Sequence, residues 1–179
     1  SVNDMVNVIS VGRLESEKGH RVLLDAIKRS SSPDRIKLHL VGDGGRRADL
    51  ESYACSLGLN VTFYGAVTDR NRLFSILAGS DLFVIPSLTE GMPRALLEAM
   101  TVGIPCLGTS VGGIPEVLPK ECLCAPDNPA EMAALIDRFL GSEALREESS
   151  ARNRRFISDR FGDSALQAKK IAFWSNLYE

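Results

Sequence analysis

The segment Glu90-Gly-Met-Pro-Arg-Ala-Leu-Leu-Glu98 joins a sharp Gly/Pro turn to an apolar helical pattern. The apolar run Leu82–Ile85 precedes it, as is typical of a buried strand. Proline suits the first helical turn, because an N–H there would lack a partner within the helix. The segment therefore predicts a strand, a turn and a helix in succession, with Glu90 before the helix and Glu98 inside it. Arg94 precedes Glu98 in the weaker order for a helical ion pair, so we expect Glu98 to serve another partner.

The same alternation extends in both directions from this segment. Short apolar runs predict strands at Met5–Val11, Ile36–Val41, Val61–Tyr64, Leu82–Ile85, Pro105–Gly108 and Glu121–Cys124. Apolar residues at helical spacing predict helices at Gly19–Ser30, Ala48–Leu57, Asn71–Ala78 and from Ala130 to the end of the chain. Strands that alternate with helices in this way form a parallel sheet covered on both faces. The predicted fold is α/β, a Rossmann-like sheet with a helical C-terminal tail.

Length and composition are those of one globular domain. The chain has 179 residues, of which 44% are hydrophobic and 25% are charged, enough for a single compact core. Its net charge of -2 offers no general attraction to nucleic acid or to anionic lipid. We therefore expect no nucleic-acid partner.

The cysteines favour a reducing compartment. Cys55, Cys106, Cys122 and Cys124 form no CxxC pair, and the chain shows no signal peptide and no apolar run of about 20 residues. We expect reduced thiols in a cytoplasmic protein. The chain begins at Ser1, almost directly in an apolar run, and we expect it to be part of a longer polypeptide.

Four glycine-bearing loops follow predicted strands. They lie at Gly12, at 42–45, at 87–91 and at 112–113. Ligands of parallel α/β sheets bind beyond the carboxyl ends of the strands, so these loops are expected to converge on one site. The alternative is that each glycine only satisfies the geometry of its turn, which such folds need with or without a ligand.

Two cations lie in the loop after the first strand. Arg13 and Lys18 stand near a predicted helix start, an arrangement suited to a phosphate or a diphosphate. The alternative is a pair of solvated cations balanced by Glu15 and Glu17.

The second helix start provides further binding groups. The amides of Gly91, Met92 and Arg94 are expected to be free to meet an anion. The side chain of Glu98 leans toward the start of its helix, where it can accept hydrogen bonds from the hydroxyls of a ribose. Glu90 lies just before the helix and is suited to the hydroxyls of a sugar attached beyond the phosphates.

Other nucleotide and metal signatures are missing from the sequence. Arg47 stands in place of the third glycine of a dinucleotide fingerprint, and no Walker A motif occurs. No pair of aspartates one residue apart could hold a metal on a diphosphate, and neither His20 nor His39 has a cluster of ligands around it. We expect a site without metal and a packing or surface role for His39.

Several motifs occur together in one order. They are Gly12-Arg-Leu, Glu17-Lys-Gly19, Val41-Gly-Asp-Gly44, Pro86-Ser-Leu-Thr-Glu-Gly91, the Glu90 and Glu98 pair with seven residues between its members, and Gly112-Gly-Ile-Pro-Glu116. The set resembles the C-terminal half of a retaining GT-B glycosyltransferase of the large group-1 family, often called family 4. The resemblance extends from Met5 to about Pro119, and covers the helical tail only by pattern.

The resemblance implies a two-domain enzyme that transfers a hexosyl group to an acceptor hydroxyl. Residues 1–179 would form its nucleotide-sugar-binding domain, with an N-terminal acceptor domain outside this chain, so the isolated fragment is expected to be inactive. The donor would be a UDP-, GDP- or ADP-sugar, with no metal and no other cofactor. The full-length enzyme is expected to be cytoplasmic, and peripheral association with the membrane is left open.

Residue roles follow from the same resemblance. Arg13 and Lys18 would hold the diphosphate and stabilise it as leaving group, Glu98 would bind the ribose, and Glu90 would bind the donor sugar. The implied catalytic residues are Arg13, Lys18 and Glu90. The implied donor-binding residues are Gly12, Arg13, Lys18, Gly42, Gly44, Val67, which would offer main-chain contacts to the base, Glu90, Gly91, Met92, Pro93 and Glu98.

The sequence departs from the family pattern in two ways, and one of them is that the N-terminal domain, with any catalytic groups it supplies, is expected to lie outside this chain. Many relatives have a second glycine after the first glutamate, where this chain has Met92-Pro93-Arg94. A sugar-nucleotide epimerase of the same shape and a nucleotide-binding module without transfer activity remain alternatives. The tail segment Lys170–Tyr178 would cross back to the N-terminal half or pack on this domain.

Overall fold

A computed structural model of the chain describes residues 5–162 and 167–177. The strands are β1 (Val6–Val11), β2 (Ile36–Val41), β3 (Asn60–Phe63), β4 (Leu82–Ile85), β5 (Cys106–Thr109) and β6 (Leu123–Cys124). The helices are α1 (His20–Arg29), α2 (Arg47–Ser56), α3 (Arg70–Ala78), α4 (Arg94–Val102), α5 (Ile114–Val117), α6 (Pro129–Leu140), α7 (Glu143–Phe161) and α8 (Gln167–Asn176). The predicted α/β architecture is confirmed.

The strands form one parallel sheet in the order β3-β2-β1-β4-β5-β6. At its centre Ile9 of β1 is aligned with His39 of β2 on one side and with Phe83 of β4 on the other. The chain winds outward from β1 in one direction and from β4 in the other. The order therefore reverses between β1 and β4, and in sheets of this kind the ligand-binding crevice lies beyond the carboxyl ends of the two strands at that point.

Apolar faces of the helices attach them to the sheet. On α1, Leu23, Leu24 and Ile27 are at most 1% exposed, and this helix packs against α6. Leu96 and Leu97 of α4 are fully buried, and α4 packs against α3, α7 and α8. Burying one such side chain contributes about 1.5–3 kcal/mol. The sheet and its helices therefore hold α1 and α4, the helices that follow β1 and β4, in fixed positions.

Some boundaries differ from the predictions. The strand predicted at Glu121–Cys124 is shorter, because a 3-10 turn over Lys120–Cys122 follows Pro119 and only Leu123–Cys124 pairs with β5. Cys122 instead donates its N–H to the carbonyl of Pro119. Pro93 lies just before α4 rather than inside it, with an extended backbone. The short helix α5 was not predicted.

The C-terminal tail packs on this domain along one side. Ile171 is 1% exposed, and the rings of Trp174 and Phe161 meet edge to face at 5.6 Å. Phe173 and Leu177 are 70% and 66% exposed, while Tyr178 lies outside the described residues. In residues 5–162 and 167–177 no helix has the length and the apolar character needed to cross a membrane.

The structure also shows the surroundings of the cysteines and of His39. All four cysteines are free thiols, and Cys55 is the exposed one. His39 is buried between Tyr64 and Asn7, with its ring nitrogens 2.9 Å from the hydroxyl of the first and the side-chain oxygen of the second. The expectation of a packing role for His39 is confirmed.

Candidate functional site

The crevice between β1 and β4 brings together two residues that lie far apart in the sequence. The amino group of Lys18, after β1, lies 2.8 Å from both carboxylate oxygens of Glu90, after β4. The hydroxyl of Ser87 lies 3.2 Å from Oε1 of Glu90. The side chains of Lys18 and Glu90 are only 21% and 10% exposed. A partly buried cation and a partly buried carboxylate therefore stand together at the point where the sheet reverses its winding.

A glycine allows this approach. Gly19 has a left-handed backbone (φ 68), and a Cβ there would clash with the carbonyl oxygen of Pro86. The turn before it is tied to the β4 loop by a hydrogen bond from the N–H of Leu88 to the carbonyl of Glu17, 2.8 Å. Any other residue at position 19 would force the turn that carries Lys18 and the backbone of Pro86 to move apart.

The two predicted cations are placed differently. Arg13 has a side chain that is 72% exposed, and its guanidinium lies 3.2 Å from Glu17. Glu15, which the alternative interpretation assigned as a counter-ion, instead accepts a hydrogen bond from the N–H of Gly45 at 2.8 Å. Lys18 is therefore a partly buried member of the site, whereas Arg13 is a solvated side chain at its margin.

Glu98 lies inside α4 and is 6% exposed. Its Oε1 pairs with the guanidinium of Arg70, the first residue of α3, at 3.2 Å. Burial raises the pKa of the Glu98 carboxyl, and the positive charges of Arg70 and Arg94 oppose that rise. Among the described residues none donates a hydrogen bond to Oε2 of Glu98, so that oxygen remains available to a ligand.

The start of α4 presents unpaired donors. Within residues 5–162 and 167–177 no acceptor is hydrogen-bonded to the N–H groups of Gly91, Met92 or Arg94. Such groups carry the positive end of the helix dipole and can meet an anion. The side chain of Arg94 points elsewhere, to the side-chain oxygen of Asn176 at 3.0 Å. Arg94 therefore leaves Glu98 to Arg70, as the unfavourable order of the two residues along the helix predicts.

The positions of these groups depend on close packing of the loops themselves. Gly112 is left-handed (φ 53), and a Cβ there would clash with the carbonyl oxygen of Glu90. The next residue, Gly113, donates its N–H to the carbonyl of Gly91 at 2.8 Å. The glycines after β5 thus support the segment that carries Glu90.

The glycines after β2 have a similar packing role. A Cβ on Gly42 would clash with the carbonyl of Gly12, and one on Gly44 would lie 2.6 Å from the carbonyl of Leu14. A Cβ on Gly12 would meet no atom within 4 Å, so its surroundings are open. Gly42 and Gly44 are explained by contacts within the protein, and a donor-binding role for them stays a prediction.

The predicted base-binding residue lies beside the same edge. Val67 follows β3 and is partly buried against the core. Gly65, two residues earlier, accepts a hydrogen bond from the N–H of Gly42 at 2.9 Å. This contact positions the loop of Val67 next to the loop after β2. Pro93 is buried at the end of the segment that begins with Glu90.

Arg70 and Ser87 were not among the predicted site residues. Ser87 stands within the quoted motif Pro86-Ser-Leu-Thr-Glu-Gly91, so its proximity to Glu90 could have been inferred from its spacing of three residues. Arg70 has no such signal, because its partner Glu98 lies on another helix. Only the packing of α3 against α4 brings them together.

The arrangement has three functional parts. The α4 N-terminus and Lys18 can neutralise an anion, Glu90 and Ser87 can hydrogen-bond hydroxyls next to it, and Glu98 can bind hydroxyls on the other side. In the described part of the chain no three His, Cys, Asp or Glu side chains are grouped to hold a metal ion.

Comparisons with known proteins agree on one family. A family model described as "Glycosyl transferases group 1" matches residues 3–156. CapJ of Staphylococcus aureus is 34% identical over 161 residues, which cover 87% of this chain and 41% of CapJ. The 2-deoxystreptamine glucosyltransferase of Streptomyces kanamyceticus is 29% identical over 157 residues, covering 85% of this chain and 41% of that enzyme.

A solved structure has the same fold. The crystal structure of Anabaena HepE in complex with UDP-glucose matches 97% of this chain and 49% of HepE, with a TM-score of 0.81 and 26% identity. The chain spans about two fifths of the length of the two curated relatives and about half the length of HepE.

Proposed function

Because the chain belongs to the group 1 glycosyl transferases, we propose that it is the donor half of a two-domain glycosyltransferase. The enzyme transfers a hexosyl group from a nucleotide diphosphate sugar to an acceptor hydroxyl, with retention of configuration and without a metal ion. The acceptor domain precedes this chain in the same polypeptide. The proposed location is the cytoplasm, and an acceptor in the membrane would bring the enzyme to the cytoplasmic face of that membrane.

The paired Lys18 and Glu90 carry this proposal. They flank the β1/β4 crevice, the place where doubly wound sheets bind their ligands. An anion and a hydroxyl-rich group side by side require a cation and a carboxylate side by side, and a sugar diphosphate has both features. A site for a bare nucleotide would need the cation but would gain nothing from a buried carboxylate beside it.

Binding of the donor would redistribute the charge of the pair. In the free chain the amino group of Lys18 is neutralised by Glu90 at 2.8 Å. An arriving diphosphate offers Lys18 more negative charge, and the N–H groups at the start of α4 support the same phosphates. Glu90 is then free to accept hydrogen bonds from the sugar hydroxyls, with Ser87 beside it.

The same groups favour departure of the diphosphate. When the bond from the sugar to the phosphate breaks, negative charge grows on the phosphate oxygens. Lys18 and the free amides are already positioned next to that charge, so they stabilise the transition state more than the intact donor. Arg13 can add its charge from the margin of the site, since among the described residues its ion pair is with the half-exposed Glu17.

Glu98 would bind the nucleoside. Its buried carboxylate has one oxygen on Arg70 and one without a donor in the described residues. The diol of a ribose matches such a carboxylate, because two adjacent hydroxyls can donate to one group. UDP is the first nucleotide to test, since HepE was crystallised with UDP-glucose and belongs to the same fold. The other nucleotides remain candidates.

A thermal-shift panel tests the proposal. The chain is heated with UDP, GDP, ADP or CDP and with the corresponding nucleotide sugars. A ligand at 100 times its dissociation constant adds about 2.7 kcal/mol to the free energy of unfolding, a shift of several degrees for a domain of this size. One nucleotide diphosphate and its sugar conjugate are expected to raise the midpoint. An unchanged midpoint across the panel would reject the donor site.

A further inference from the structure

A cavity of about 180 Å³ lies beside the proposed donor site, and most of the residues that line it have no part in the proposed function. It opens at the N-terminus of α1, next to the turn that carries Lys18. Its polar lining includes Glu15, Ser16, His20 and Asp127, and its apolar lining includes Leu50 and Leu88. Leu88 and Gly19 lie within two residues of Glu90 and Lys18, so the two sites share the loops that separate them.

His20 gives the cavity an unusual feature. The residue is 3% exposed, and its Nδ1 is buried without a hydrogen-bond partner. Burial, followed by the positive charge of Lys18, lowers the pKa of His20 to about 4, so the ring is neutral at physiological pH. A neutral imidazole carries one donor and one acceptor nitrogen. The unpaired Nδ1 is enclosed by protein atoms and destabilises the folded chain. A hydrogen bond from a ligand in the cavity therefore falls to Nε2, which has no hydrogen-bond partner among the described residues.

The backbone at the rim is also constrained. Asp127 adopts a left-handed conformation (φ 51), the only residue other than glycine to do so in the described part of the chain. Such a conformation is unfavourable for a residue with a Cβ, although aspartate and asparagine tolerate it best. Asp127 is exposed and lines the cavity, so it places a carboxylate at the mouth.

The charges of the lining exclude most anions. Three carboxylates, of Glu15, Asp49 and Asp127, face the cavity together with two guanidinium groups. Arg46 is paired with Asp49 at 3.1 Å, and Arg21 lies 3.7 Å above the ring of Tyr53. Arg46 and Asp49 therefore neutralise each other, while Oε2 of Glu15 and the carboxylate of Asp127 remain as acceptors.

This lining suits a neutral ring that carries hydroxyl groups. Carboxylates and an imidazole can hydrogen-bond hydroxyls, and the side chains of Leu50 and Leu88 can cover the C–H face of the ring. The volume is of the order of a single sugar unit. Building on the proposed function, we propose that this cavity is a subsite for one neutral sugar unit of a glycosylated acceptor, with His20 and Asp127 as its polar contacts.

The proposal specifies what kind of acceptor the enzyme glycosylates. An acceptor that fills the cavity carries at least one sugar already, so the reaction extends a glycan rather than starting one. A preceding glycosyl transfer must then supply the substrate.

NMR on the ¹⁵N-labelled chain tests the subsite directly. Methyl glycosides of glucose, galactose, mannose and N-acetylglucosamine are added at up to about 50 mM, a range that detects the weak binding expected of one sugar unit. Each titration is done with and without a saturating nucleotide diphosphate. At least one glycoside is expected to shift the ring nitrogens of His20 and the amides of Gly19 and Asp127, and to do so equally when the nucleotide is bound.

A variant of His20 tests whether its ring nitrogens bind the glycoside. His20→Leu removes both ring nitrogens and is expected to weaken glycoside binding about fivefold or more, the effect of one or two hydrogen bonds. Because Nδ1 has no partner in the free chain, the same change should leave the thermal midpoint unchanged or raise it. A histidine with only a structural role would show a lower midpoint instead.

Asp127→Asn keeps a side chain that tolerates the left-handed backbone and removes the charge. It is expected to weaken glycoside binding, whereas Glu148→Gln, an exposed acid of α7 remote from the cavity, is expected to have no effect.

Several results would overturn the subsite. They are the absence of any shift with all four glycosides, shifts confined to residues 12–18 and 90–98, or a response at His20 to methylammonium or inorganic phosphate but to no glycoside. Nucleotide binding in the same samples separates this failure from failure of the proposed function. A chain that responds to the nucleotide and not to the glycosides rejects the subsite alone.

Discussion

The two glutamates of one segment differ in the cation that holds them. Glu90 is paired with Lys18 at 2.8 Å, and both side chains are largely buried. Glu98 is paired with Arg70 at 3.2 Å, and the arginine is 44% exposed. Glu90 thus has a partner that is itself a candidate ligand-binding group, whereas the partner of Glu98 lies on a helix outside the phosphate region.

This difference implies different behaviour at the two ends of the site. At the Glu90 end, a ligand must replace a contact that already exists, so binding and internal ion pairing compete. At the Glu98 end a ligand adds contacts to an oxygen that has no donor in the described residues. Under the proposed function, the first end would discriminate between ligands with and without a sugar, and the second would respond to the nucleoside that all of them share.

The largest effect is expected from Lys18→Met. The change leaves the carboxylate of Glu90 buried without its cation, which should lower the free energy of unfolding by about 3 kcal/mol. It also removes the main charge for the diphosphate, so affinity should fall about 100-fold or more. Calorimetry and urea denaturation measure the two effects, with Lys28→Met, an exposed lysine of α1, as control.

The double variant Lys18→Met/Glu90→Gln sharpens the test. It should recover most of the lost stability but none of the affinity. Recovery of affinity in the double variant would show that Lys18 acts only as the counter-ion of Glu90.

Because His20 is buried as a neutral ring near the Glu90 end of the site, we expect the chain to lose stability in acid. In the unfolded chain its pKa is near 6.5, and in the folded chain it is about 4. The unfolded state therefore binds the proton first as pH falls, so the free energy of unfolding should decrease between pH 6.5 and pH 4 by about 3 kcal/mol. Urea denaturation at several pH values should show this slope in the parent and a flatter one in His20→Leu. Parallel slopes would contradict the burial of a neutral ring.

For Glu98 we expect the opposite pH dependence of the free energy of unfolding. Burial raises the pKa of the Glu98 carboxyl above its ordinary 4.5 in the folded chain. As pH rises from 4.5, the unfolded chain loses this proton first, so the contribution of Glu98 to stability is present below pH 4.5 and is lost above it. Glu98→Gln should remove this loss and make the chain more stable than the parent at pH 7. A variant that is less stable at pH 7 would show that the Arg70 pair outweighs the cost of burial.

The smallest effect is expected from Arg70→Ala. Arg70 opposes the rise in the pKa of Glu98, so its removal should raise that pKa further and release Oε1. Because the pair is partly solvated, nucleotide affinity should change only about fivefold. Titration calorimetry measures the change against Arg155→Ala, an exposed arginine of α7. An unchanged affinity would remove Arg70 from the site.

The sequence predicted the strands and the edge of the sheet because both depend on local patterns. Leu82–Ile85 and Ile36–Val41 have the predicted bounds, and their apolar runs end at the loops that form the site. The turn after Pro119 was missed, because a short apolar run containing cysteines reads equally well as a strand or a buried turn.

The internal contacts of the site could not be predicted in the same way. Lys18 and Glu90 were assigned to separate parts of a ligand, and their direct pairing depends on the distance between two loops. Arg70 and Glu98 meet only through packing of α3 on α4. His20 was set aside because no other ligand residues lie near it in the sequence, yet its unpaired nitrogen becomes visible only once the helix is packed.

Titration calorimetry with the nucleotide diphosphate and its sugar conjugate, for the parent chain, Glu90→Gln and Glu98→Gln, tests the division of the site most directly. Glu98→Gln should weaken both ligands alike, by about tenfold, because both carry the ribose. Glu90→Gln should weaken the sugar conjugate only, and should leave the nucleotide diphosphate unchanged or bound more tightly, because Lys18 is released. Equal losses of both ligands in Glu90→Gln would contradict the assignment of Glu90 to the sugar.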